Sequence, residues 1–226
     1  MPSTTPVRSV RDQIVNRLRG ELLSGQHAPG TPLREEGLAE RFEVSRMPIR
    51  HVLQQLVDEG LLLAKRNCGV SVAPPAPDAV RGLLMPIRVQ IETFALRACF
   101  ADSPAPLVQD WQRLLGPFRL ACEEGDRPAV FERDMDLHRA LLVRAGLADL
   151  LPLWTQVVNK TTAFYGHHRL AEDDLPVVHA VHVALLDTFR AGDEEAAVLA
   201  LSQHILNGEF NREVHRRWHA ARTCQG

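Results

Sequence analysis

The stretch from Leu33 to Val72 constrains the fold most strongly, because it marks the ends of several short elements in close succession. Between Ser45 and Gly60, apolar residues recur every three or four positions, which predicts an amphipathic helix. Ser45 is a favourable N-cap, and Pro48 is tolerated in a first helical turn because its missing N–H would have no partner there. Gly60 is typical of the position just after a helix. The apolar positions of this predicted helix are Ile49, Val52, Leu53, Leu56 and Val57.

A shorter helix and a hairpin are predicted on either side of this element. The shorter helix comes first, and a turn at residues 43–44 connects the two helices. Its apolar side consists of Leu33, Leu38, Ala39 and Phe42. After the second helix, two apolar runs, Leu61–Ala64 and Val70–Ala73, flank a basic segment that contains a glycine, residues 65–69. This pattern predicts a hairpin with a basic tip.

Arginines on the polar side of the second helix suggest a function. Arg46 and Arg50 lie one turn apart near its N-terminus, the end that a helix-turn-helix presents to base edges in the major groove. Arginine in that position can bind guanine through two hydrogen bonds or hold a phosphate. Arg34, Lys65 and Arg66 are then expected to contact the DNA backbone. The alternative is a small helical core with solvated charges.

The same stretch resembles the N-terminal winged helix of GntR-family transcription regulators, from Val7 to about Pro75. The motifs that carry the resemblance are PG-x-x-L from Pro29, LA-x-x-F from Leu38, VSR-x-P-x-R from Val44, L-x-x-L-x-x-EGL from Leu53 and N-x-G-x-x-V from Asn67. Two departures stand in the second helix, where Met47 replaces a small hydroxyl residue and His51-Val52 replaces Glu-Ala. The expected DNA-binding residues are Arg34, Ser45, Arg46, Met47, Arg50, Lys65, Arg66 and Gly69.

Composition excludes some classes of protein. Net charge is −2, but residues 1–75 carry ten basic and eight acidic side chains, whereas the rest carries sixteen and twenty. A mildly basic N-terminal part suits a local DNA-binding surface. The four cysteines are scattered without a C-x-x-C pair, which argues against a zinc ribbon or a disulfide framework. Because no apolar run approaches the length of a membrane span, we expect a cytoplasmic protein without membrane contact.

The domain organisation follows from the order of patterns along the chain. We expect a disordered arm at 1–6, a winged helix at 7–73, a proline-rich linker at 74–77 and an all-helical domain at 78–220. A helix over Val7–Ser24 would open the winged part, and Asp78 would cap the first helix of the second domain. The predicted helices of the second domain are Asp78–Phe100, Pro106–Glu124, Arg127–Ala145, Leu150–His168, Leu175–Arg190 and Asp193–Trp218.

Two of these helices contain a proline. Pro86 should bend the first, and Pro117 should kink or split the second. Since strand-like alternation is missing after residue 78, we predict an antiparallel bundle of six or seven helices. The fold class is therefore mainly α: a winged helix-turn-helix followed by a helical bundle.

Four ionisable residues fall on apolar helix faces in this second domain. Asp134 and His138 lie four residues apart on one helix, and His182 and His204 lie on the apolar sides of two others. Burying such groups separately is costly, whereas together they suit a divalent transition metal. Each histidine could instead be a hydrogen-bonded core residue, and His179 is an alternative to His182.

A second resemblance selects among these residues. D-x-x-x-H from Asp134, H-x-x-L-L-x-x-x-x-A-G-D from His182 and the closing His204 resemble the FCD effector domain of the FadR subfamily of GntR regulators. The resemblance implies that Asp134, His138, His182 and His204 bind a divalent transition metal, with zinc as the first expectation and nickel or manganese as alternatives. It also implies an effector contact at Arg88, whose alternatives are a solvated charge or a pair with Glu92.

The two resemblances together imply a homodimeric regulator, of repressor type, that binds double-stranded operator DNA. A small carboxylate would complete the coordination of the metal and alter operator affinity. The competing reading is a metal-dependent hydrolase that uses the same three histidines and aspartate. Against an enzyme, the sequence contains neither His-Glu-x-x-His nor a phosphate-binding glycine loop or nucleophile elbow.

Overall fold

The computed structural model describes residues 9–65, 69–101, 103–167 and 175–207, with side chains left out at 163–167 and 207. Within these ranges the chain forms nine α-helices and one three-stranded sheet. This confirms the predicted class, a winged helix-turn-helix followed by a helical bundle. None of the described helices is both long and apolar enough to cross a membrane.

Residues 9–72, called the head below, contain three helices and the sheet. The helices are α1 (Val10–Leu23), α2 (Glu35–Arg41) and α3 (Arg46–Asp58), and the strands are β1 (Pro32–Leu33), β2 (Leu62–Lys65) and β3 (Gly69–Val72). The sheet is antiparallel in the order β1-β3-β2. Ser9 begins α1 with a capping box, in which its side chain accepts from the Asp12 N–H and the Asp12 carboxylate accepts from the Ser9 N–H.

Two details of the head differ from the sequence prediction, while the turn predicted at residues 43–44 is present. Leu33 lies in β1 and not in a helix. It pairs with Val70 of β3, the second strand of the hairpin. Ser45 occupies the N-cap position of α3, but its side chain makes no capping hydrogen bond. The turn between α2 and α3 holds Glu43 at a φ of 54°, a left-handed conformation that is uncommon for a residue other than glycine.

Residues 78–207, called the body, form a helical bundle. Its helices are α4 (Asp78–Phe100), α5 (Ala105–Glu123), α6 (Arg127–Arg144), α7 (Leu151–His167), α8 (Leu175–Ala191) and α9 (Glu194–Asn207). Pro77, not Asp78, is the N-cap of α4, and α5 continues through Pro117 without splitting. The arm at 1–6, Arg66 at the hairpin tip and the predicted end of the last helix at 208–218 lie outside the described residues.

The head packs directly on the body through helix α1. A Cβ added at Gly20 of α1 would lie 2.4 Å from the carbonyl oxygen of Pro128, so the backbones of α1 and α6 touch where a larger residue would not fit. Beside this contact, Arg17 donates two hydrogen bonds to Asp126, the N-cap of α6, at 2.8 and 3.1 Å. One apolar core therefore runs through both parts of the molecule.

Candidate metal centre and nucleic-acid interface

The structure brings the four predicted ligands together from three helices. Asp134 and His138 lie on α6, His182 on α8 and His204 on α9, and one donor atom from each falls within 4.8 Å of all the others. His138 and His182 are buried, while Asp134 and His204 are partly exposed. His179, the alternative ligand, lies against the ring of Phe118 and does not join this cluster.

Outer hydrogen bonds orient two of the histidines. Nδ1 of His138 is 2.6 Å from Oε2 of Glu92, and Nδ1 of His182 is 2.8 Å from the backbone oxygen of Val178. The Val178 carbonyl and the ionised Glu92 carboxylate can only accept hydrogen bonds. In each neutral imidazole, Nδ1 therefore carries the hydrogen and Nε2 presents a lone pair. A metal-binding histidine typically has such a partner on its other nitrogen.

The spacing of the donor atoms fits one bound cation. Oδ1 of Asp134 lies 2.8 Å from Nε2 of His182 and 3.8 Å from Nε2 of His138. The Nε2 atoms of His138 and His204 are 3.2 Å apart. Ligands about 2.0–2.2 Å from a single ion are themselves separated by roughly 3–4 Å. When Nδ1 of a neutral His182 donates to Val178, its Nε2 presents a lone pair, and a cation between Nε2 and Asp134 would then bind both atoms.

The electrostatics of the cluster favour the protonation states that a metal needs. Burial by itself would raise the pKa of Asp134, but the contact with His182 outweighs it and brings that pKa below its usual range. Burial and the neighbouring histidines lower the pKa of His204 well below its ordinary value. An ionised carboxylate and a neutral imidazole are the forms that bind metals.

Glu92 connects this cluster to two other side chains. It is fully buried, and its Oε1 accepts from Nε of Arg88 at 2.7 Å and from the indole N–H of Trp154 at 2.9 Å. Burial would raise the pKa of Glu92, yet the charge of Arg88 and the hydrogen bonds from His138 and Arg88 lower it to about 2. The carboxylate that orients His138 is therefore ionised at neutral pH.

The sequence alone does not predict the roles of Glu92 and Trp154. The spacing of Arg88 and Glu92 was visible and suggested a pair, which the structure contains. No sequence signal indicated that the second oxygen of Glu92 reaches His138, because that contact joins positions on two separate helices. An effector contact by Arg88 remains a prediction.

The predicted DNA-binding residues that the structure describes are all exposed. They are Arg34 at the start of α2, Ser45, Arg46, Met47 and Arg50 at the start of α3, and Lys65 and Gly69 on the hairpin. Gly69 adopts a φ of 79° opposite Lys65, which favours glycine there.

Arg46 and Arg50 are both paired with carboxylates from the first turn of α2. Nε and Nη2 of Arg50 each lie 3.0 Å from an oxygen of Glu35, which gives a two-bond pair, and Arg46 contacts Glu36. The pairs are exposed, so phosphates or base edges can compete for the guanidinium groups.

Family comparisons agree with this division into head and body. Residues 10–72 match the family described as "Bacterial regulatory proteins, gntR family", and residues 84–207 match the FCD domain. The chain belongs to the GntR family of bacterial regulatory proteins and carries an FCD domain. It is accordingly a DNA-binding transcriptional regulator.

Alignments with individual relatives and with a solved structure cover most of the chain. A probable D-xylose utilization operon transcriptional repressor of Paenarthrobacter nicotinovorans is 28% identical over 205 residues, which cover 89% of this chain and 86% of the relative. An uncharacterized HTH-type transcriptional regulator, BphR, of Paraburkholderia xenovorans is 30% identical over 215 residues, with 88% and 83% covered. The structure of McbR/YncC from E. coli superposes with a TM-score of 0.73 at 20% identity, covering 94% of this chain and all of the other, and so shares the fold.

Proposed function

We propose that this GntR-family protein is a metal-dependent repressor whose body binds a small organic acid and thereby changes operator binding by the head. The observation that carries the proposal is the cluster of Asp134, His138, His182 and His204, with two of its imidazoles oriented by hydrogen bonds. Repression is supported by relatives of similar length that are named repressors, such as the one from Paenarthrobacter nicotinovorans.

The expected cofactor is a divalent transition metal, with zinc first and nickel or manganese as alternatives. Three imidazole nitrogens and one carboxylate oxygen suit such ions. When bound, the metal would supply a Lewis-acidic centre for a carboxylate oxygen of the effector. Asp134, His138, His182 and His204 would hold it, and Glu92 would keep His138 in the binding tautomer.

Arg88 supports a carboxylate effector, because it lies beside the cluster. Its Nε donates to Oε1 of Glu92, whose Oε2 is 2.6 Å from Nδ1 of His138. A guanidinium in this position would attract a carboxylate that binds near the metal. Arg88→Ala should therefore reduce the response to effector while operator binding by the free protein persists.

A homodimer is supported by the outer face of α4. Val80, Leu83, Ile87 and Phe94 recur every three to seven residues along that helix and are exposed. A stripe of this kind is typical of a surface that meets another protein, and we propose a second copy of this chain. Two heads would then read two half-sites of a pseudo-palindromic operator. Operator binding would place the protein in the cytoplasm.

The metal centre is tested by elemental analysis of purified variants. His138→Ala and His204→Ala should each lose bound metal, because each removes one of four ligands. His179→Ala is the matched control, since His179 lies one turn from His182 and outside the cluster, and it should retain the metal. Full occupancy in His138→Ala, or equal loss in His179→Ala, would contradict the site.

The effector class is tested by a thermal-shift screen of small carboxylates with and without Zn²⁺. A ligand that binds the native state raises the apparent stability, by about 2.7 kcal/mol at a hundredfold excess over its Kd. We expect a stabilising acid whose effect requires the metal and is lost in Arg88→Ala. Stabilisation that is equal without metal would contradict binding at this site.

The hydrolase reading remains the competing class and predicts a different result. A metal with an open coordination position can activate water. The zinc-loaded protein should then hydrolyse activated ester or phosphoester substrates, and His138→Ala should abolish that activity. We propose regulation because the same chain that carries this cluster also carries a helix-turn-helix with exposed arginines. Metal-dependent turnover without any operator binding would favour the hydrolase instead.

A further inference from the structure

Two side chains of α7 bind the C-terminal end of the recognition helix. Nε2 of Gln156 donates to the carbonyl oxygen of Asp58 at 2.9 Å, and Nδ2 of Asn159 donates to that of Glu59 at 3.3 Å. Asp58 is the last residue of α3 and Glu59 its C-cap. The last carbonyls of a helix lack partners within the helix, so these amides satisfy groups that would otherwise need water.

Helix α7 is also linked to the candidate metal centre. Trp154, two residues before Gln156, donates its indole N–H to Oε1 of Glu92, and Oε2 of Glu92 faces Nδ1 of His138. Trp154 and Glu92 are fully buried, so water does not compete for this hydrogen bond. A change in the orientation of His138 therefore acts on α7 through two short hydrogen bonds.

Helix α6 holds the head at a second place. Its N-terminus contacts α1 through Pro128 and Asp126, and its middle carries Asp134 and His138. The head thus rests on α6, which bears two of the ligands, while the end of α3 is held by α7. Arg19 of α1 also donates two hydrogen bonds to Glu59, so α1 and the end of α3 are joined. A shift of α7 relative to α6 would therefore move the end of α3 relative to α6.

We propose that α7 transmits the state of the metal centre to the recognition helix, with Trp154 as its contact to Glu92 and with Gln156 and Asn159 as positioning residues for α3. This rests on the proposed function, because it requires a metal at the cluster. It adds the route by which that site reaches the DNA-binding surface. Loss of the amide donors would leave both the metal ligands and the recognition arginines intact.

Hydrogen–deuterium exchange of the full-length protein, with and without saturating Zn²⁺, tests this route. In the unmodified protein, Zn²⁺ should slow exchange in the peptides that carry His182 and His204. It should also slow exchange at the end of α3, around residues 55–61, by about fivefold, the lower end of typical coupling between sites. Metal content measured on the same samples establishes that the cluster is occupied.

Two variants should remove the effect of Zn²⁺ on exchange at residues 55–61 and keep its effect around His182 and His204. Trp154→Phe keeps the buried ring and deletes the N–H, and the double variant Gln156→Ala/Asn159→Ala deletes both donors to α3. In each, protection by Zn²⁺ around His182 and His204 should persist while the change at 55–61 falls below about twofold. Gln109→Ala is the matched control, an exposed glutamine on α5, and it should retain both responses.

The outcomes separate the route from the site. Equal responses at 55–61 in all variants, or none in the unmodified protein despite protection around His182 and His204, would overturn the role of α7 and leave the metal centre standing. If Zn²⁺ protects neither region and is not bound, the metal centre itself is contradicted and the route fails with it.

Discussion

At the scale of single residues, the guanidinium of Arg50 is held in an exposed two-bond pair with Glu35 before any DNA arrives. Such a pair favours one orientation of a long side chain but is easily exchanged, since water and salt screen exposed ion pairs. The structure therefore presents an oriented but releasable arginine near the start of α3, the helix that we predict to contact base edges. The same holds for Arg46 with Glu36.

Replacing these arginines should weaken operator binding selectively. Arg50→Ala is expected to cost about 1–3 kcal/mol, the contribution of a good base contact, and to relax sequence preference. Arg119→Ala is the matched control, because Arg119 forms an exposed pair with Glu123 on α5 of the body. Fluorescence anisotropy with labelled operator DNA measures the affinity of each variant. Equal affinities for Arg50→Ala and Arg119→Ala would reject the assignment of α3 as the recognition helix.

Glu21 makes a residue-scale prediction about pH. It lies on α1 and is buried. Burial would raise its pKa, but hydrogen bonds from Arg41 and His27 and the charges of Arg41 and Arg17 lower it to about 2. A carboxylate with a lowered folded-state pKa adds stability above its unfolded pKa, near 4.5, and this stability is lost as the pH falls towards 2.

The stability of Glu21→Gln relative to the unmodified protein should therefore depend on pH. Urea unfolding should show a deficit of roughly 3 kcal/mol at pH 6–7 that shrinks as the pH falls from 4.5 towards 2. Glu40→Gln, at an exposed position on α2, should show little deficit at any pH. A deficit for Glu21→Gln that stays constant with pH would contradict the account of this network.

At the scale of elements, the contact between α1 and α6 depends on the missing side chain of Gly20. Any Cβ there would overlap the carbonyl of Pro128, and backbone atoms cannot rotate away as a flexible side chain can. Gly37 in α2 is a helical glycine with nothing within 4 Å of an added Cβ, so it provides a matched comparison.

Alanine at the two glycines should have opposite effects on stability. Gly20→Ala is expected to destabilise the protein by about 1–3 kcal/mol through overpacking between head and body. Gly37→Ala should be neutral or stabilise by up to about 1 kcal/mol, because alanine favours the helix. Thermal unfolding measures both changes, and a stable Gly20→Ala would show that α1 and α6 do not pack this closely.

Element by element, local signals predicted the helices better than they predicted the contacts. The bounds of α4 agree with the expected Asp78–Phe100, since apolar period and flanking prolines are encoded in the segment itself. Leu33 was placed in a helix because nothing nearby reveals its strand partner Val70. The four clustered residues were chosen through a family resemblance, whereas Glu92 and the packing of Gly20 on Pro128 depend on tertiary structure alone.

At the scale of the whole molecule, the exposed stripe on α4 predicts how two chains associate. Leu83→Glu or Phe94→Glu should convert a dimer to a monomer, because a charge in an apolar interface loses its hydration without gaining a partner. Leu120→Glu, at an exposed leucine on α5, should leave the dimer intact. Light scattering after size-exclusion chromatography measures the mass, and an unchanged dimer in both α4 variants would place the interface elsewhere.

The central claim is that one divalent cation sits among Asp134, His138, His182 and His204, and anomalous X-ray scattering from crystals grown with Zn²⁺ tests it most directly. The account predicts one strong anomalous peak per chain, about 2.0–2.2 Å from Oδ1 of Asp134 and from one nitrogen of each histidine. A map with the peak at His179 or at surface carboxylates, and none among these four side chains, would contradict it.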